Sequence, residues 1–361
     1  MKKNLDHFLN KKEETKNKKK EKKQSASPHF FDEFIKKDYE KIDVNKPVLE
    51  VINLKKQYNK KKQPAINELN FKVYPGEFHA FVGANGAGKT TTIKCIIGSY
   101  RNFQGEVYIS GINNKSLESR KKIGYIPENA IFPARISCYD YLIYMAKLNK
   151  IKTKDAVPFT ESILKKFRMW DLRHQSPNNF SSGQKKKILL AQALSNNPNL
   201  LVMDEPTANL DPKARIDFFE ILEDLIKLNK SILISSHILS ELDLHSNAVT
   251  ILDNGKIAYS QKRDKYENNN MFFRIKISDS FHGKKILKYK VNENNEIIHN
   301  FKNRKDLNEL TDYLISENLL NKFEKYYLSI EDLYKKYVIY GSVDTKNAGH
   351  LKDEKNKQTF F

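Results

Sequence analysis

The stretch Phe78-His79-Ala80-Phe81-Val82-Gly83-Ala84-Asn85-Gly86-Ala87-Gly88-Lys89-Thr90 decides the fold. Its apolar head reads as a buried strand, and TTIKCIIG (91–98) behind it reads as a helix. Between them, Gly83 to Thr90 fits G-x-x-x-x-G-K-[ST] at every fixed position. Glycines let backbone N–H groups turn inward as an anion nest and leave no Cβ in the way of phosphate oxygens. The helix opening at Lys89 aims the positive end of its dipole at the same place. Lys89 is then placed to reach β- and γ-phosphates, and the Thr90 hydroxyl to ligate Mg²⁺. Taken alone, this loop suits small-molecule kinases and GTPases as well as ATPases.

Outward from the loop, VLEVINL (48–54) and INELNFKVY (66–74) read as strands, with a turn at Pro75-Gly76. Residues 138–149 and 155–173 have helical spacing, with Tyr141, Tyr144, Met145 and Leu148 three and four apart. NLLVM (199–203) and SILISS (231–236) are short apolar runs that suit parallel strands covered on both faces. Residues 213–228 have helical period, and Asn254-Gly255 inside AVTILDNGKIAYS (248–260) signals a type I′ hairpin. This alternation predicts an α/β domain over residues 47–262. Beyond it, MFFRIKI (271–277) and KILKYKV (285–291) form a candidate strand pair, and residues 304–320 a helix. Ser329 with Asp332 makes a capping box for a last helix over 330–340. Residues 1–46 read as a disordered Lys-rich tail and linker, 263–340 as a C-terminal extension, and 341–361 as a polar tail.

The 361 residues carry a formal net charge of +20 with 39% hydrophobic residues. Only nine of the 64 basic residues are Arg, while Asn reaches 36, a bias spread along the whole chain. Planar, bidentate base and phosphate contacts favour Arg, so the charge reads as solvated surface and predicts no specific nucleic-acid partner. The first 23 residues hold ten Lys and four acidic residues. Such a segment suits an anionic membrane surface, at about 1 kcal/mol per Lys. No run approaches the ~18 apolar residues of a membrane-spanning helix, and no apolar run follows the basic N-terminus as in a secretory signal. Cys95 and Cys138 are too few for a disulfide framework, which predicts a cytoplasmic setting.

A further carboxylate pair, Asp204-Glu205, stands at the exit of the apolar run LLVM (200–203). Asp204 is placed to hold the Mg²⁺ shell and Glu205 to take a proton from an attacking water. Upstream stands Phe180-Ser181-Ser182-Gly183-Gln184, followed by the basic run KKKILLAQALS. In this order of motifs, over residues 48–260, the chain resembles the ATP-binding subunits of ABC transporters. Phe180 to Gln184 resembles that family's LSGGQ signature, Ala208-Asn209-Leu210-Asp211 its D-loop, His237 its switch histidine, and Tyr58 the aromatic that stacks on adenine. Tyr125-Ile126-Pro127-Glu128, with Glu128 in place of the usual Gln, and the closing LSIEDLYKKY (328–337) are similar to the drug-resistance and ABC-2 export branch. Ser182 departs from the usual first glycine of the signature.

The resemblance implies an α/β P-loop NTPase core with an antiparallel β subdomain, a helical subdomain over about 129–197, and a small α+β extension. It implies that Gly83 to Thr91 bind ATP, and that Thr90, Asp204 and Glu128 surround Mg²⁺. Glu205 would be the general base, with His237 on the γ-phosphate. Ser181, Ser182, Gly183 and Gln184 would cap the ATP of a second ABC subunit, identical or different, in a head-to-tail dimer. It further implies docking on a separate transmembrane permease, and so a cytoplasmic subunit peripheral on the inner face of the cell membrane, with export favoured over import. A soluble ATPase acting on ribosomes or DNA fits less well. There is one P-loop and one signature, and only about 90 residues without heptads or Cys clusters separate Lys89 from Ser181. A weakly hydrolysing regulatory subunit is the remaining alternative, because of Ser182.

Overall fold

The computed structural model describes residues 30–36, 43–58, 63–129, 131–262, 271–301, 303–326 and 328–340. They divide into two compact units. The first holds the described residues up to His237 together with Asn254–Lys256, and the second holds Ile238–Asp253 and those from Ile257 onward.

The first unit opens with helix α1 (Phe30–Lys36). Strands β1 (Leu49–Lys56), β2 (Ile66–Val73), β4 (Gln104–Ile109) and β5 (Ile112–Asn113) form an antiparallel sheet in the order β2-β1-β4-β5. Strand β3 (Phe78–Gly83) belongs to a parallel sheet with β6 (Ile123–Ile126), β7 (Leu200–Asp204) and β8 (Ser231–Ser236), in the order β3-β8-β7-β6. Every residue of β3, β7 and β8 is buried, which is why these strands read as unbroken apolar runs rather than as alternations. Each fully buried large apolar side chain in this layer contributes about 1.5–3 kcal/mol. Its register sets Asp204 beside Ser235 and Val82 beside Ser236.

Helix α2 (Lys89–Ile96) follows β3. Helices α3 (Cys138–Leu148) and α4 (Thr153–Lys166) lie between β6 and β7, followed by α5 (Ser182–Leu194). The periodic run expected over 155–173 ends as a helix at Lys166, because Arg168 takes a left-handed φ of 57°. Helix α6 (Pro212–Lys227) starts on the Asp211 N-cap, with proline at the first turn as such starts favour.

The expected tail over residues 1–46 is interrupted by α1. Phe31 and Ile35 are fully buried, Phe31 packs on Phe159 and Phe167, and Asp32 pairs with Lys166 at 2.9 Å. Residues 1–29 and 37–42 lie outside the described residues, as does the expected tail 341–361.

The second unit contains α7 (Leu239–His245), β9 (Ala248–Asp253) and the part of β10 (Lys256–Lys262) from Ile257 onward, while Asn254–Lys256 belongs to the first. Asn254 and Gly255, at φ 46° and 76°, make the predicted type I′ turn. Farther on, β11 (Met271–Ile277) lies between β14 (Glu296–Phe301) and β15 (Leu320–Lys325), both antiparallel to it. The expected pairing of 271–277 with 285–291 does not occur. Leu287 has a φ of 50°, so that run folds on itself as the two-residue strands β12 (Lys285–Ile286) and β13 (Tyr289–Lys290). Helix α8 (Arg304–Ser316) covers the sheet with Leu307, Leu310 and Leu314. It ends four residues short of the expected 320, with Asn318 left-handed at φ 57°. The capping box of Ser329 and Asp332 is present, but α9 (Ile330–Tyr334) gives way to a wider π-turn over Lys335–Tyr340.

Candidate functional site

The C-terminal ends of parallel strands are where open α/β sheets gather ligands, because successive strand–helix turns converge there. In the first unit, the segments that follow β3, β6, β7 and β8 line one cavity of about 350 Å³. Asn85, Gly86, Lys89, Thr90, Thr91, Glu128, Glu205 and His237 are among its walls.

Gly88 is the N-cap of α2 at φ 108°, a conformation that a side chain strains, so the first turn of α2 opens without a side-chain cap. Lys89, Thr90 and Thr91 of that first turn line the cavity, and the free N–H groups and dipole of a helix start suit an anion. Lys89 is buried at 6% exposure. Its Nζ donates to the Gly83 carbonyl at 2.8 Å and lies 3.4 Å from Glu205 Oε1. On the other side, Glu205 Oε2 lies 2.8 Å from His237 Nδ1. Glu205 thus sits between a lysine and a histidine, with its backbone left-handed at φ 47°.

Asp204 is 3% exposed, and its Oδ1 accepts the hydroxyls of Thr90 at 3.1 Å and Ser235 at 3.0 Å. Among the described residues no cation pairs with this buried carboxylate. A carboxylate and a hydroxyl side by side are hard oxygen donors. No cluster of three or more His, Cys, Asp or Glu suited to a metal occurs among the described residues. This donor set fits Mg²⁺, which takes one or two protein oxygens and completes its shell with phosphate and water.

Glu128 reaches the cavity because its loop is held from behind. Lys186, buried on α5, donates to the carbonyls of Pro127 at 2.8 Å and Glu128 at 2.5 Å. Burial pulls the Lys186 ammonium down to about 8, against the opposing pull of Glu128 and Asp204.

The remaining sequence-predicted residues lie outside the cavity walls. Tyr58 is largely exposed, its hydroxyl 3.0 Å from Thr91 Oγ1 and its ring edge-on to Tyr100. Ser181 caps α5 through a reciprocal box with Gln184, at 3.3 and 2.9 Å. Asp211 caps α6 by accepting from Ala214 N at 2.8 Å. These last two helix starts touch at Gly183, where an added Cβ would lie 2.8 Å from Ala214 Cβ. Ser182 is exposed, so the departure from glycine there meets no obstacle within this chain. Gly183→Ala therefore lowers stability by about 1–3 kcal/mol through overpacking, whereas Ser182→Gly changes it by less than about 1 kcal/mol. Urea midpoints of both variants check the contrast.

Sequence reasoning missed Lys186 and Ser235. Lys186 is one of three consecutive lysines and Ser235 one of two consecutive serines, so spacing gave no reason to single out either.

Residues 66–208 match the family model described as ABC transporter. The chain is 44% identical over 244 residues to the "Putative ABC transporter ATP-binding protein" of Mycoplasma pneumoniae, covering 67% of this chain and 75% of that one. The chain belongs to the ABC transporter ATP-binding family. This ABC subunit is also 32% identical to "Nod factor export ATP-binding protein I" of Rhizobium meliloti, over 58% of its own length and 63% of the relative's. Among solved structures it resembles "Structure of ATP binding subunit of ABC transporter", with a TM-score of 0.53 and 28% identity, covering 61% of this chain and 92% of that one. The core is accordingly the P-loop fold of an ABC ATPase, and the subunit is an ATP-binding component of a transporter.

Proposed function

We propose that this ABC subunit hydrolyses ATP held in the cavity above β3, β7 and β8, and thereby drives a separate transmembrane permease that exports its substrate. The observation that carries the reading is Glu205 poised between Lys89 and His237, at 3.4 and 2.8 Å, beside the phosphate loop.

In this reading the backbone of Gly83 to Thr91 cradles the triphosphate, and Lys89 binds its β- and γ-oxygens. Tyr58 stacks on the adenine. Thr90 and Asp204, with Glu128 beside them, hold Mg²⁺, which neutralises phosphate charge. Glu205 accepts the proton of the attacking water, and His237 orients Glu205 and contacts the γ-phosphate. The exposed start of α5, led by Ser181 and Ser182, caps the ATP of a second ABC subunit, whose own signature returns the contact. Asp211 lies next to that seam.

Export is supported by the similarity to the Nod factor export protein and by the Tyr125–Glu128 form of the loop. Among the described residues no helix is long and apolar enough to cross a membrane, in keeping with a peripheral subunit on the cytoplasmic face. The subunit docks through the loop and helix over Glu128 to Lys150. The expected result is that the full chain, solubilised from its native membrane in mild detergent, co-purifies with a multi-span protein. Its recovery free of any membrane partner, in tight association with ribosomes, would favour the soluble alternative instead.

A further inference from the structure

We propose that Ser235 is a positioning residue for hydrolysis, one hydroxyl fixing Asp204 and the backbone of Glu205 together. The proposal rests on the ATPase reading above. Ser235 is fully buried near the end of β8, in register with Asp204 on the neighbouring β7. A hydroxyl has one hydrogen to give and lone pairs to receive, and Ser235 uses both kinds. Its Oγ donates to Asp204 Oδ1 at 3.0 Å and accepts from Glu205 N at 3.0 Å.

The two bonds answer two different problems. Asp204 is a buried carboxylate whose other side-chain partner is Thr90. Thr90 has a second duty as a metal ligand in the proposed reading, whereas Ser235 has none. Ser235 is therefore the partner that fixes which way the Asp204 oxygens face. Glu205 holds a left-handed φ of 47°, a region that residues other than glycine seldom enter. Backbone in such a conformation persists where its surroundings over-determine it. The bond from Glu205 N to Ser235 is one such determinant, and it aims the carboxylate between Lys89 and His237. Removing the hydroxyl releases the metal side and the base side at once, without changing the bulk of the strand.

The test compares the full chain with Ser235→Ala and Ser235→Thr, using Mg²⁺ and the non-hydrolysable analogue AMP-PNP as probes, alongside ATP turnover. Loss of a group that orients a metal ligand typically costs ~10–100-fold. We expect Ser235→Ala to bind AMP-PNP in EDTA as wild type does, while its half-saturating Mg²⁺ rises ~10-fold or more. Its kcat falls by a similar factor with KM for ATP unchanged, and Ser235→Thr, which keeps a hydroxyl, recovers most of both. Wild-type Mg²⁺ dependence in Ser235→Ala would overturn the proposal. So would an equal loss of EDTA-state affinity and of kcat that threonine fails to rescue, since that pattern marks packing alone. A wild-type chain that shows no Mg²⁺-dependent ATP turnover would overturn the ATPase reading, and this proposal with it.

Discussion

Glu205→Gln retains nucleotide binding and lowers ATP turnover by roughly 10²–10⁴-fold, the usual contribution of a positioned general base. Glutamine keeps the shape of the side chain and one acceptor oxygen for Lys89, but an NH2 replaces the other oxygen and the amide cannot accept a proton at neutral pH. The carboxylate is 13% exposed, with Lys89 and His237 on either side, so no bulk water replaces its function easily. Phosphate release and fluorescent-nucleotide titration, run on the same sample, separate the two effects. A turnover that falls less than about tenfold would mean that another group takes the proton.

Lys89→Ala acts on the opposite quantity. The ammonium is buried against the Gly83 carbonyl, with Glu205 its ion-pair partner. A hydrogen bond between charged groups contributes about 1.5–3 kcal/mol, and each ~1.4 kcal/mol is a factor of ten. One such bond to a phosphate therefore predicts a loss of roughly 10–100-fold in ATP affinity, and two bonds predict more. The variant also removes a charge that balances Glu205, leaving it the side-chain contact with His237. Calorimetry with ATP checks the affinity. An unchanged affinity would place the triphosphate away from the phosphate loop.

The parallel core was legible because its strands are buried on both faces and a glycine loop follows the first of them. The phosphate loop was legible because phosphate binding restricts its residue types, the acidic pair because it ends a buried apolar run, and His237 only through its place in the series of motifs that resembles the ABC family. What escaped depends on partners distant in sequence. Helix α1 is seven residues in polar surroundings, too short to be stable alone, and it forms against Phe159 and Phe167 some 130 residues away. The strand pairing of the second unit could not be read locally either, since β11 takes β15 from almost fifty residues downstream. Helix ends at Lys166 and Ser316 were misplaced because Arg168 and Asn318 turn left-handed, which apolar spacing does not register. Ser235 carries no pattern at all, and its importance comes from the register that sets it beside Asp204.

In the proposed head-to-tail arrangement, one subunit's phosphate loop and the signature helix of a second ABC subunit close on the same nucleotide. Light scattering of Glu205→Gln, with ATP and Mg²⁺ and then after their removal, tests it most directly. The mass is expected to double when nucleotide is present and to return to that of one chain when it is withdrawn. A sample saturated with ATP that stays at the mass of one chain, alone and with its native membrane partner's ATP-binding subunit added, would contradict it.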